Sequence, residues 1–488
     1  MHRGQSRQVN RRSLLLRAAD LARGAAASRA FAPAVAALGL SGSISAAPGA
    51  SESLAPPPEI RSRNGVLETT ITAAAGPVRM GDVSFPGFLY NEAYVPPVLR
   101  VRVGDTMLIA LHNNLPAAPT NLHFHGLSVS PQGHGDNVFV HVHAGETFQY
   151  RVHIPASGRQ GPGLFWYHPH AHGFVNTQIL LGLSGGLVVD GSERLFPILE
   201  GMRERLLLIK QAKIGHDDLV SINGQINPAI EISPGEMQFW RIAHIGASIF
   251  LKFRIEGMPL YLVATDGHPL PRPRKVTEFF IGPGERIEAI AIGPQAGEYP
   301  MRTVSFQNEA WRPPELVRDL ALIVSAGAGR PGKDSASDVL RQRRDGPLWA
   351  EEVRAAPIAR RRTLVYSRTL DRQIFMIDGR VMSEKRIDQT ATLGDTEEWT
   401  VVNEDQQYHS FHIHQTPFLV TEVGGMPADQ DSLKDTASVP PATERGPGTL
   451  KVVIPFTDPV IVGRFVYHCH AVDHEDKGMM GVIEVVEP

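Results

Sequence analysis

The chain is predicted to be all-β, folded as three related β-sandwiches, and three observations carry that prediction. Composition is the first: 38 prolines and 46 glycines in 488 residues, with few long stretches of helical periodicity, describe short strands separated by turns. Length is the second. At ~150 residues per domain it accommodates about three, and a hydrophobic content of 42% supplies a core for each. The third is an internal repeat. A strand ending in a Gly-acid turn recurs at Leu99–Asp105, Ile230–Glu236 and Thr390–Asp395. Each is followed by a strand reading Asn121-Leu-His123-Phe-His125, Phe250-Leu-Lys252-Phe-Arg254 or Ser410-Phe-His412-Ile-His414. A closing strand also triplicates, as Phe165-Trp-Tyr-His168-Pro-His170, Tyr299-Pro-Met-Arg302-Thr-Val304 and Phe465-Val-Tyr-His468-Cys-His470.

Taken in order, residues 1–50 are set aside as a targeting segment. Their basic opening leads into Asn10-Arg11-Arg12-Ser13-Leu14-Leu15-Leu16, which resembles a twin-arginine signal. An Ala-rich stretch from Ala30 to Leu40 follows, and small residues place cleavage around Ala46 or Ala47. The first sandwich is expected over 60–190, ending at Val188-Val189-Asp190-Gly191, and the second over 200–328. A polar linker is expected over 327–360 and the third sandwich over 361–488. Within the third, Met426 to Gly448 is rich in Pro and Gly and reads as a long loop. The first and third copies each carry two His-x-His pairs. The second has Lys252/Arg254 and Arg302/Val304 at those places, so it offers no metal ligands there. Net charge is −3, which suggests no nucleic-acid footprint. No later segment reaches the ~18 consecutive apolar residues of a membrane span. One cysteine permits no intramolecular disulfide.

That cysteine, Cys469, lies between His468 and His470, with His474 and Met479 following. A thiolate, an imidazole five residues on and a thioether ten residues on match a blue-copper site, trigonal His₂Cys with a weak axial Met, if a second His comes from elsewhere. Side chains alternate faces along a strand, so His468 and His470 point away from Cys469. Three consecutive residues can thus ligate metal on both sides of one strand. Pro169 fills the same slot in the first copy, so only the third can build a thiolate site.

Four segments, His123-Phe-His125-Gly126, Trp166-Tyr-His168-Pro-His170, His409-Ser-Phe-His412-Ile-His414 and His468-Cys469-His470 with His474 and Met479, together resemble the copper motifs of the multicopper oxidases. The resemblance covers the chain beyond the targeting segment and implies three cupredoxin-like Greek-key sandwiches and four copper ions. It implies that His123 and His412 hold a type 2 copper. His125, His168, His170, His414, His468 and His470 would hold a type 3 pair, and His409, Cys469 and His474 a type 1 copper with Met479 axial. The implied activity takes one electron at a time from a small reducing substrate and reduces O₂ to water. Asp136 and Glu475 sit where similar proteins carry proton-handling acids. The resemblance further implies a monomer, and the Arg11-Arg12 pair implies export by the twin-arginine route to the periplasm or exterior.

Other residues could be mistaken for ligands. His141-Val142-His143 repeats the His-x-His spacing, yet precedes a turn and has no counterpart in the third copy, so it is read as surface strand. His172 is read as a neighbour of the type 2 copper. His134, His153, His216, His244 and His268 are read as loop or edge histidines, and Met480, Trp166 and Tyr167 as packing. For substrate, an exported laccase-like oxidase of phenols and related aromatics leads. The alternative is a cuprous or other metal oxidase. Its Met-rich segment is missing here, since the chain has 12 Met and Met426 stands alone in its loop. Asp429, Asp431 and Asp435 could dock a harder metal or be solvated. A copper-free scaffold of the same fold is disfavoured by the complete ligand set.

Overall fold

The computed structural model describes residues 52–156, 158–215, 217–329 and 335–488. The targeting segment, His216 and part of the linker lie outside the described residues.

Six sheets pair into three sandwiches. In the first, one sheet runs Glu59–Arg61, Val98–Arg102, Gly185–Asp190, Gly163–His168, His123–His125, and the other Val83–Tyr90, Val66–Met80, Thr106–Asn114, Thr147–His153. The second and third repeat the plan with a six-stranded and a five-stranded sheet each. Alternation explains the layering: along Thr106–Asn114, Met107, Ile109 and Leu111 are buried between half-buried neighbours. The strand Gly463–Cys469 differs, being buried from Phe465 onward on both faces. Phe465, Tyr467 and Cys469 enter the core of the third sandwich with Trp399 and Met479. Val466 packs outward with Val138 of the first sandwich.

Cross-strand register refines the repeat. His123 lies opposite His168, and His412 opposite His468. In the second sandwich Arg254 lies opposite Arg302, and Val304 N–H donates to the Lys252 carbonyl at 2.6 Å. Lys252 therefore lies opposite Val304, a register two residues away from that of the histidine pairs, which keeps the same side chains on the same face and leaves no metal ligand there.

Two segments hold more structure than expected. The polar linker contains the helices Ala336–Arg341 and Trp349–Ala355. The first starts with a capping box between Ser335 and Asp338. The second buries Ala350 and Val353 against Leu419, Leu433 and Val453 of the third sandwich. In the 426–448 loop, Thr436–Val439 forms an edge strand paired with His409–Ile413, from Val439 opposite His409 to Thr436 opposite His412. That pairing brings Asp435 to the ligand sheet.

The sandwiches meet at a shared apolar cluster in which Leu164, Trp166 and Val188 of the first pack with Leu206, Leu208 and Ala243 of the second and Val472 of the third. Lys210 of the second donates to the carbonyls of Tyr94, Gly182 and Ser184 of the first at 2.6–2.9 Å. The segment before the first sandwich crosses to the second. Ala229 N–H donates to the Glu52 carbonyl and Leu54 N–H to the Ala229 carbonyl, while the Leu54 side chain joins the second core.

One turn occurs in all three copies and differs tellingly in the third. Asn91, Asn223 and Asp378 each have positive φ at a tight hairpin. The first two accept a strand N–H, from Thr72 and Leu208, and donate their amide to the carbonyl two residues earlier, of Thr70 and Leu206. Asp378 accepts from Val365 N–H at 2.8 Å, but a carboxylate has no donor for the corresponding Thr363 carbonyl. Loss of hydration where the carboxyl folds over the turn holds it above the usual range. A raised native value means that Asp378 favours the folded state fully below the unfolded pKa, and that this contribution is lost as pH rises through the folded value. Asp378→Asn is expected to raise stability at neutral pH by roughly 0.5 kcal/mol, small because the turn is exposed, and to flatten the decline. Thermal unfolding of both proteins across pH checks this: the gap should close in acid.

Candidate metal centre

The sulfur site is assembled from two strands of one sheet and a short helix. His409 opens the strand His409–Ile413, Cys469 ends Gly463–Cys469, and His474 lies in the helix Val472–Asp476. Cys469 Sγ is 3.4 Å from His409 Nδ1 and 3.5 Å from His474 Nδ1, and Ser410 N–H donates to it at 3.4 Å. All three side chains are buried, and Met479 is buried in the same core cluster. Met479 also accepts, at its carbonyl, the Cys469 N–H at 3.1 Å. Burial pushes the Cys469 thiol well up and pulls His474 down to about 3. A neutral imidazole is the form that ligates a metal, and a thiol so buried ionises when a cation compensates its charge.

The outer nitrogens of these imidazoles are covered. Asp405 Oδ2 lies 3.5 Å from His409 Nε2 and is held by Arg368 at 2.7 Å. Gln407 Nε2 donates to Asp405 at 2.7 Å and stands 3.3 Å from His474 Nε2. A segment of the second sandwich lies along this loop, where Tyr408 N–H donates to the Asn308 carbonyl and Ala310 N–H to the Gln406 carbonyl. Phe280, Phe306 and Tyr408 form an aromatic collar, with Tyr408 5.0 Å from Phe280. Arg368 and Arg372 stack on Trp311 at 4.8 and 3.6 Å.

On the other side of the Cys469 strand eight histidines converge, four from each end sandwich. Their outer partners decide which nitrogen each presents. His123 Nδ1 donates to Asp136 at 2.9 Å, His412 Nδ1 to the Asp435 carbonyl at 2.7 Å and His168 Nδ1 to the Pro169 carbonyl at 2.9 Å. All three Nε2 atoms are left buried and unpartnered. His170 Nε2 and His414 Nε2 each lie 3.2 Å from His468 Nε2. His125 is reversed: its Nε2 faces Asp435 Oδ1 and Thr436 Oγ1, each at 3.0 Å, and its Nδ1 lies 3.1 Å from His470 Nε2. Burial is the main cause that lowers the pKa of His125, His168, His170, His412, His414 and His470 far below the usual value. Neutral rings with inward lone pairs have too few protons to satisfy one another. Cations among them would, and three overlapping triplets, His123/His125/His168, His123/His412/His414 and His170/His414/His468, each bring their ligand atoms within 4.8 Å. The residues present therefore fit a cluster of metal ions.

Two expected acids sit against this nest. Asp136 is fully enclosed: Oδ1 accepts Phe124 N–H at 3.0 Å, and Oδ2 accepts from His123 and from Gln415 Nε2 at 2.8 Å. Glu475 Oε2 is 3.0 Å from His468 Nδ1 and Oε1 3.4 Å from His170 Nε2. Neither approach has hydrogen-bond geometry, so the buried carboxylate has no donor.

Asp435 is a correction. It was expected as a docking or solvated acid beside Asp429 and Asp431, which are indeed exposed partners of Arg274. Asp435 itself is buried and touches two of the histidines. Sequence gave no sign of Arg286, Gln415, Asp405 or Gln407 at these sites. His244 is also corrected: it is buried at the end of the interior strand Met237–His244, whereas His268 does open an edge strand, His268–Val276, and is buried there. His244 bonds the Ile249 carbonyl at 2.7 Å. His141 and His172 both bind Glu384, at 3.1 and 2.8 Å, outside the nest.

Three family models described as multicopper oxidase match residues 74–194, 202–328 and 357–488. A multicopper oxidase of Staphylococcus haemolyticus is 25% identical over 451 residues, covering 87% of this chain and 90% of that protein. A laccase of Bacillus stratosphericus is 24% identical over 441 residues, covering 78% and 84%. In fold, the chain is similar to a Campylobacter jejuni multicopper oxidase described as a metallo-oxidase, with a TM-score of 0.74 at 24% identity over 90% of this chain and 96% of that one.

Proposed function

The chain belongs to the multicopper oxidase family, and from that premise we propose that it oxidises phenols and related aromatics one electron at a time while reducing O₂ to water. It is an oxidoreductase with O₂ as acceptor. The assignment of ligands is part of the proposal. His409, Cys469, His474 and Met479 would hold a type 1 copper, His123 and His412 a type 2 copper, and His125, His168, His170, His414, His468 and His470 a type 3 pair. Bound copper supplies the one-electron storage that lets single-electron donors meet the four-electron demand of O₂. The residues do the rest. Cys469 is covalently continuous with His468 and His470, so the strand itself joins the sulfur site to the histidine nest. Asp136 fixes the His123 tautomer. Glu475, a buried carboxylate between His170 and His468 with no donor of its own, is the proton carrier of the reading.

The observation that carries the aromatic preference is the collar of Phe280, Phe306 and Tyr408, the last of which precedes His409 in the chain, together with Trp311 stacked under Arg368 and Arg372. One observation favours the metal-oxidase alternative. Asp405 stands 3.5 Å from His409 Nε2, where a carboxylate could meet a cation. Export by the twin-arginine route, with a monomeric product, completes the reading and is supported by Arg11-Arg12 and the apolar run after it. Oxygen uptake by copper-loaded protein with a methoxyphenol and with Cu(I), under the same conditions, tests the substrate. Faster uptake with Cu(I) would replace the aromatic reading, and uptake with neither would end the oxidase reading.

Met479→Leu is expected to keep the copper content and raise the type 1 potential, because an apolar residue stabilises the oxidised ion less than a thioether. Redox titration of the blue band checks this. An unchanged potential would remove Met479 from the residues that would hold the type 1 copper.

A further inference from the structure

The second sandwich has no ligand histidines, yet it forms one wall of the nest. Its Gly282–Arg286 turn lies directly on the imidazoles. A Cβ at Gly284 would stand 3.1 Å from His125 Cε1 and 3.2 Å from His470 Cδ2, and Gly284 has φ +91°. From the end of this turn the Arg286 guanidinium, fully buried, grips Asp435 of the third sandwich with two parallel bonds of 2.6 and 2.7 Å. Its Nε donates to the Leu164 carbonyl of the first sandwich at 3.0 Å, and the guanidinium lies 5.5 Å over the Phe165 ring. Gly126, which follows His125, has φ +86°, and a Cβ there would collide with both Arg286 Nη2 and Asp435 Oδ2. The ion pair thus occupies the space a side chain at 126 would need.

This pair bears on one ligand in particular. Where an outer acceptor is seen on an imidazole of the nest, it holds Nδ1 for His123, His168 and His412, and Nε2 points inward. His125 is turned over because Asp435 and Thr436 hold its Nε2. A freely rotating carboxylate would hold that orientation weakly. A carboxylate clamped in a plane by both guanidinium nitrogens has both oxygens in fixed places, and Asp435 Oδ1, which accepts from Arg286 Nη1 at 2.6 Å and Thr436 Oγ1 at 2.8 Å, is the one that meets His125 Nε2.

We propose that Arg286, through Asp435, is a positioning residue for the oxygen-reducing centre: it fixes the His125 ring so that Nδ1, not Nε2, faces the metals. The inference rests on the copper reading above. Partners of metal-ligating histidines typically matter ~10–100-fold in affinity or activity.

The test compares wild-type protein, Arg286→Lys and Asp435→Asn, each loaded with copper. Four quantities are read: copper per chain, blue absorption, the fraction of bound copper that is EPR-silent, and the melting temperature without copper. Lysine keeps the charge but lacks the planar fork, and asparagine keeps the shape but cannot serve both partners. If Arg286 positions His125, both variants keep the blue band, lose EPR-silent copper or gain EPR-visible copper, and turn over O₂ about 10-fold or more slowly. If the pair only ties the sandwiches together, blue and EPR-silent copper fall in proportion to a lowered melting temperature, and the proposal is overturned. Variants indistinguishable from the wild type overturn it too. A wild type with neither a blue band nor EPR-silent copper overturns the copper reading, and this inference with it.

Discussion

Replacing Cys469 by serine is expected to leave a folded protein that has lost its blue absorption and its oxidase turnover. The side chain shrinks little, and the new hydroxyl oxygen can accept the Ser410 N–H that now reaches Sγ at 3.4 Å. Folding should change by no more than about 1–2 kcal/mol, the scale of burying a bonded hydroxyl. Function should collapse, because a hydroxyl is a hard, weakly acidic group that provides neither the soft bond nor the charge transfer of a thiolate. The eight histidines beyond the strand are untouched, so the copper remaining should be that of the nest. Absorption spectra and copper content of the purified variant, with circular dichroism to establish the fold, decide the matter. A variant that stays blue would remove Cys469 from the site.

The second large effect is expected at Asp136. Its two oxygens face three donors: Phe124 N–H, His123 Nδ1–H and Gln415 Nε2–H. An asparagine must turn its NH₂ toward one side or the other. Toward His123, it would donate to Nδ1 and move the ring proton to Nε2, the atom the nest needs bare. Toward Phe124, two donors would meet in a site with almost no solvent. Asp136→Asn is therefore expected to lower O₂ turnover and type 2 copper retention by ~10–100-fold while leaving the blue band in place. EPR of the type 2 signal beside the visible spectrum separates this from general unfolding, which would remove both. A variant with full type 2 occupancy would show that His123 needs no acceptor.

These two residues also mark how far sequence reaches. Cys469 and the His-x-His pairs were legible because strand alternation is local: spacing in the chain is spacing on a face. The pairing of His123 with His168 and of His412 with His468 joins strands the repeat had already matched. In the middle copy the register is shifted by two residues, where no ligands constrain it. What holds the imidazoles was not legible. His125 and Asp435 are 310 residues apart and Arg286 and Asp435 are 149, in three different copies of the sandwich. Asp435 looked like its exposed neighbours Asp429 and Asp431 because all three stand in one polar stretch. Only the pairing of Thr436–Val439 with the ligand strand turns it inward. The linker helices were missed because Val339, Ala350 and Val353 make too short a pattern to stand out from the charges around them.

The crossing of residues 52–54 onto Ala229 matters for how the protein is handled. Ala229–Ile232 is an edge strand of its sheet, and those few residues cover the end of it. Uncovered strand edges are sites where one molecule adds to another. Proteolysis that removed Glu52–Leu54 would touch none of the metal-binding residues, yet would strip Leu54 from a core and bare amides and carbonyls of Ala229–Ile232. The damage would then appear as self-association during storage, in molecules whose colour and turnover were still intact.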